Sequence, residues 1–166
     1  YIDLGNPSSL SSLGETSNIS VSSWVKYDSY VGSGGSQPYS VITVKGAPWT
    51  WLLENYNKII RFRITAGGAD AHISDTAIHS LNVWYNIVGT YNGSVMSIYM
   101  NGELKNSKNQ TGTLGSNSIA AKIGTFQGTN YNMNGKISNV SIYNKCLSAQ
   151  EIQQNYNALK GRYGLT

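Results

Sequence analysis

Apolar and polar side chains alternate along much of this chain. In the run from Ile19 to Tyr27, Ile19, Val21, Val25 and Tyr27 fall on one face, and Ser20, Ser22, Trp24 and Lys26 on the other. A period of two is the mark of a strand with one wet and one buried face. The same pattern predicts strands over residues 39–45, 49–54, 59–65, 83–91, 95–100, 103–105, 118–124 and 136–143. Pro48 and the polar run Asn55-Tyr56-Asn57 separate the earlier ones. Asn92-Gly93 between two apolar runs predicts a tight hairpin with both turn residues at positive φ, and Asn101-Gly102 turns the chain again. The run Ile137-Ser138-Asn139-Val140-Ser141-Ile142 breaks strict alternation, which predicts a β-bulge.

Three polar, glycine-rich stretches, 32–37, 66–70 and 125–132, read as loops. One helix closes the chain. Ser148-Ala149-Gln150-Glu151 is a capping box, in which hydroxyl and carboxylate satisfy free amides at the helix start. Ile152, Tyr156 and Leu159 then form one apolar stripe, and Gly161 is the expected stop. Many strands, one short helix and no strand–helix alternation predict an all-β, two-sheet antiparallel sandwich and exclude a doubly wound nucleotide-binding fold.

The 166 residues fit one domain, expected to span 1–166 and to have been excised from a longer chain that precedes Tyr1. Charged residues make up only 12%, while Tyr is abundant at 12 against 2 Phe. Neutral polar strands with tyrosines suit a surface that meets sugars or proteins outside the cytosol. The net charge of +4 is spread over scattered Lys and Arg, with no basic block of the kind a nucleic-acid site requires. No apolar run reaches the roughly 20 residues of a membrane span. Cys146 has no cysteine partner within the chain, so no internal disulfide staples the fold.

The second half resembles the laminin G-like domains of the concanavalin A-like lectin/glucanase superfamily. The resemblance is carried by Trp84-Tyr85-Asn86-Ile87-Val88-Gly89-Thr90-Tyr91-Asn92-Gly93, by Ile98-Tyr99-Met100-Asn101-Gly102, by Ile123-Gly124 and by Asn134-Gly135-Lys136-Ile137. It ends in Leu147-Ser148-Ala149-Gln150-Glu151-Ile152, and the Ile19–Lys26 run looks like the family's early Trp-Val strand. The resemblance implies a jelly-roll sandwich. It places Trp24 and Trp84 at structural positions, and it implies no particular ligand. The family's pattern has a further strand before Tyr1-Ile2-Asp3-Leu4, expected here upstream or replaced by another segment. The tail from Gln154 to Gly164 looks like the ends of laminin G-like domains in tailed-phage virion proteins.

Glucanases of that superfamily align Glu-x-Asp-x-Glu on one strand so that two carboxylates meet in a cleft. None of the eight acidic residues here stands two positions from another, so an enzyme is not expected. There is no Gly-x-Ser-x-Gly elbow either. Calcium, which the resemblance suggests at a sandwich rim, needs six to eight oxygens. Its candidates are Asp70, Asp75 and Asp28, with solvated turn aspartates as the plainer reading. His72 and His79 lack a metal-ligand pattern.

Sugar binding calls for flat rings ringed by amides. Trp49 and Trp51, two apart, are expected on the same side of one strand, either as a platform or as core. Gln127, Asn130, Tyr131 and Asn132 form a second polar–aromatic candidate. The expected function is therefore a carbohydrate-binding or adhesion module on a virion surface or outside the cell, displayed in several copies. The alternative is a module that packs against neighbouring structural subunits.

Overall fold

The computed structural model describes residues 1–33, 39–77, 79–126 and 131–166. Among them eleven strands form two antiparallel layers. The front layer runs β1 (Ile2–Gly5), β10 (Ala121–Ile123), β3 (Tyr39–Lys45), β4 (Trp51–Tyr56), β5 (Ile59–Ala66) and β6 (Ala69–Ser74). The back layer runs β11 (Asn132–Tyr143), β2 (Ile19–Ser33), β7 (Trp84–Tyr91), β8 (Val95–Met100) and β9 (Glu103–Asn109). The two join at a single parallel pair, Asn132 beside Val41. This is the all-β sandwich that the sequence pattern predicts and the jelly roll that the resemblance implies.

The core lies between the layers. Ile19, Val21, Val25 and Tyr27 of β2 are fully buried there, together with Trp51 and Leu53 of β4 and Ile60, Phe62 and Ile64 of β5. Each such side chain contributes about 1.5–3 kcal/mol by leaving water. The opposite face of β2 carries Trp24, buried beneath the C-terminal helix α2 (Ala149–Leu159). In α2 the Ser148 amide donates to Glu151 Oε2 at 2.9 Å and the Glu151 amide to Ser148 Oγ at 3.2 Å, completing the expected capping box. Ile152 anchors α2 on Val88, Tyr99 and Leu147.

Several expectations need correction. Residues 66–70 are not one loop: Gly67 and Gly68, both at positive φ, make the turn between β5 and β6, and Asp70 stands in β6. Similarly, Gly32 and Ser33 end β2, and Asn132 begins β11. A short helix α1 (Ser8–Ser11) follows β1, so α2 is not the only helix. Gly161 does not end the helical segment. A 3-10 turn, Lys160–Tyr163, continues it to Gly164, whose φ of 74° stops it. At Asn92-Gly93 only Gly93 has positive φ. The Asn92 side chain instead accepts from the Ser94 and Val95 amides at 3.0 and 2.8 Å. Asn101-Gly102 is a two-residue turn with both φ positive, as are Asn57-Lys58 and Gly67-Gly68. The predicted bulge is present, between Ser138 and Ser141.

Candidate functional site

Strand alternation gives the front layer an outer face with its own chemistry. While Trp51, Leu53, Phe62 and Ile64 point into the core, Leu52, Glu54, Arg61 and Arg63 project outward from β4 and β5. On this face Val41, Val44 and Leu52 form a buried apolar floor, and Tyr39, Trp49, Phe126 and Tyr131 pack on it, each half-buried. The rings meet edge to face: Tyr39 and Tyr131 at 4.5 Å between centroids, Trp49 and Phe126 at 5.0 Å, Tyr39 and Tyr56 at 5.9 Å. Edge contact suits the ring quadrupoles and fixes the rings without closing off both faces of each.

A line of charges runs beside the rings. Glu54 is fully buried and lies directly across the ladder from Arg61, to which it is ion-paired. Arg63 reaches Glu54 at 4.0 Å and also pairs with Asp70, which stands diagonally across from it on β6. The guanidiniums lie over rings as well, Arg61 at 4.1 Å from Tyr56 and Arg63 at 5.4 Å from Trp49. Burial pushes the Glu54 carboxyl up, against the opposing pull of Arg61, Tyr39 and Arg63. Burial also raises the Tyr39 phenol, with Glu54 beside it acting in the same direction. His72, on the same face, is pulled down by burial and by Arg61 and Arg63.

Of the expected sugar-site residues, the structure unites Trp49 with Tyr131, and Tyr131 with Asn132 at the start of β11. The platform of Trp49 and Trp51 does not form. Trp49 lies in the turn before β4, where the Thr50 amide donates to Lys45 O at 3.0 Å, and the two-residue periodicity of a strand does not extend into it. Trp51 is 0% exposed and faces the core. Gln127 and Asn130 lie outside the described residues. Sequence reasoning missed Tyr39, Phe126, Glu54, Arg61 and Arg63. The signal for the arginines was present: Arg61-Phe62-Arg63 alternates around a core phenylalanine, so both must share the other face.

The three aspartates expected to hold calcium are not brought together. Asp70 pairs with Arg63, Asp75 is buried with His79 Nε2 at 2.9 Å from its Oδ2, and Asp28 is exposed on β2. Among the described residues no three His, Cys, Asp or Glu side chains form a metal-sized group. Cys146 is half-buried, and burial holds its thiol above the ordinary range. Among the described residues no helix is long and apolar enough to cross a membrane.

A laminin G-like family model, described as the concanavalin A-like lectin/glucanases superfamily, matches residues 1–153. No curated protein matches the chain. Among solved structures, the binding domain of Paraclostridial Mosquitocidal Protein 1 is similar at TM-score 0.69 and 18% identity, over 86% of this chain and 37% of that one. A Bacteroides ovatus protein proposed to bind carbohydrate is similar at TM-score 0.66 and 18% identity, over 83% and 40%. Botulinum neurotoxin type C, whose cell entry depends on interaction with two ganglioside molecules, is similar at TM-score 0.63 and 16% identity, over 86% and 36%. The chain thus spans well under half the length of these proteins, and at such identities the likeness establishes the fold alone.

Proposed function

We propose, from the premise that the chain belongs to the concanavalin A-like lectin/glucanase superfamily, that this domain is a non-catalytic carbohydrate-binding module. The observation that supports it best is the aromatic group Tyr39, Trp49, Phe126 and Tyr131 on the outer face of the front layer, edged by Arg61, Arg63 and Asp70. Rings of this kind stack on the apolar C–H face of a pyranose, and guanidiniums and carboxylates bind its hydroxyls. Glu54 is committed to two arginines, and Asp70 is held on the far side of Arg63. That arrangement supports recognition more than the acid–nucleophile division of labour of a glycosidase.

The setting that fits best is adhesion from a virion or cell surface. Single-site sugar affinities are modest, so display in several copies on a fibre or capsid would supply the avidity. The similarity of the fold to binding domains and to a ganglioside-dependent toxin adds weight to glycans as the ligand class. The exposed apolar side chains Tyr1, Ile2 and Leu4 on and beside edge strand β1 favour a second reading, a module that packs against neighbouring subunits.

The test is a glycan array on a multivalent form, followed by calorimetry. Trp49→Ala and Tyr131→Ala should each weaken the bound glycan about ten-fold, the loss of one stacked ring. Full affinity in both folded variants would remove the site from this face. If no glycan binds even the multivalent form, the packing reading prevails.

A further inference from the structure

A second site stands on the other side of the sandwich. Between the outer face of the back layer and α2 lies a cavity of about 480 Å³, floored by Ser22, Trp24 and Asn86 and walled by Asn139, Asn155 and Arg162. Its volume is in the range of about 300–1,000 Å³ typical of small-ligand sites. The bulge in β11 lies beside it. Pairing with β2 slips between Ser138, opposite Trp24, and Ser141, opposite Ser22, and Asn139 adopts a φ of 48°. Bulges re-aim side chains in this way, and they are frequent beside functional sites.

The walls are tied to one another by ring stacking and hydrogen bonds. Trp24 is stacked on Tyr163 at 4.0 Å and on Tyr156 at 5.7 Å, both at 15° between planes. Asn139 Nδ2 donates to the Tyr163 hydroxyl at 2.9 Å, and that hydroxyl donates to Ser138 Oγ at 3.0 Å. Asn86 is 4% exposed, and its Nδ2 reaches Ser22 Oγ only at 3.5 Å. Asn86, Asn139 and Asn155 bring side-chain amides, and Arg162 a guanidinium, to the lining of the cavity.

The charge of the site is one-sided. Among the described residues that line the cavity, Arg162 is the only charged side chain. Lys160 lies over Tyr156 and Lys26 over Trp84, adding positive charge around the same aromatic stack. The partial negative charge at the C-terminal end of α2, about half an elementary charge, is smaller than that of the guanidinium.

We propose that this cavity binds an acidic monosaccharide, a pyranose bearing a carboxylate. Arg162 takes the carboxylate, for which its planar fork is suited, and Asn86, Asn139, Asn155 and Ser22 take ring hydroxyls. The site is independent of the aromatic face of the front layer.

The experiment is an NMR titration of the whole domain, following the Trp24 indole N–H, with glucuronic acid, N-acetylneuraminic acid and glucose at constant ionic strength. The Trp24 signal, assigned by Trp24→Phe, should shift with one or both acidic sugars, and glucose should bind at least about ten-fold more weakly, the share expected of a charged contact. Which acidic sugar binds more tightly separates a uronic from a sialic acid source. Arg162→Gln, an exposed position, should erase the preference for acid, and Asn155→Ala should weaken all binding reported by the Trp24 signal. An unmoved Trp24 signal, equal affinity for glucose, or a preserved acid preference in Arg162→Gln would each overturn the proposal.

Discussion

Gly89 of β7 and Phe62 of β5 touch across the middle of the core so closely that a Cβ on Gly89 would stand 2.4 Å from ring carbons Cγ and Cδ2. The two layers meet here with no room for one methyl group. Phe62 is fully buried, so its ring cannot swing into solvent. Gly89→Ala should therefore destabilise the domain by about 1–3 kcal/mol, the usual cost of overpacking. Urea melts of Gly89→Ala, Phe62→Leu and the double variant should show the double less unstable than the sum. An unchanged midpoint for Gly89→Ala would mean that the layers part easily at this point.

Trp49 and Trp51 should separate stability from binding. Trp51→Ala empties a fully buried site and should cost about 3–5 kcal/mol. Trp49 is half-buried on the outer face, so Trp49→Ala should cost clearly less. Chemical denaturation of both variants is the check, and equal losses would contradict the placement of Trp49 outside the core.

The helix cap makes part of the stability acid-sensitive. Hydrogen bonding to Lys145 first, and to Ser148 next, pulls the Glu151 carboxyl from 4.5 to about 2. Its folded value lies below its unfolded one. The contribution is therefore complete above pH 4.5 and is lost as pH falls toward 2. Thermal melts between pH 5 and 2 should show a shallower acid loss for Glu151→Gln than for the wild type. Parallel curves would show that the cap carries no such linkage.

Calcium should contribute little to the folded state. Asp70 and Asp75 already have cationic or imidazole partners, and Asp28 stands apart on β2. Millimolar calcium against EDTA should change the melting temperature by less than about 4 °C, which for a domain of this size is roughly 1–2 kcal/mol. A larger rise with calcium would reveal a site that these aspartates alone do not explain.

By itself the sequence determined what depends on near neighbours in the chain. The period of two put Ile19, Val21, Val25 and Tyr27 in the core and Trp24 on the opposite face, because successive side chains of a strand must alternate. The capping box of α2 spans four residues and was legible for the same reason. The order of motifs identified the superfamily. Only the tertiary structure decided which elements meet. Trp49 and Tyr131 are 82 positions apart in number (131 − 49), and they share one apolar floor because β3 passes between their segments. The pairing of Glu54 with Arg61 and Arg63 follows from the register of β4 on β5, and the cavity under α2 from a slip in the register of β11 on β2. Trp51 shows the limit most directly. Alternation predicts a shared face for residues two apart only inside a strand, and the turn hydrogen bonds at Thr50 that start β4 after Trp49 are made with Lys45, a partner that local pattern does not name.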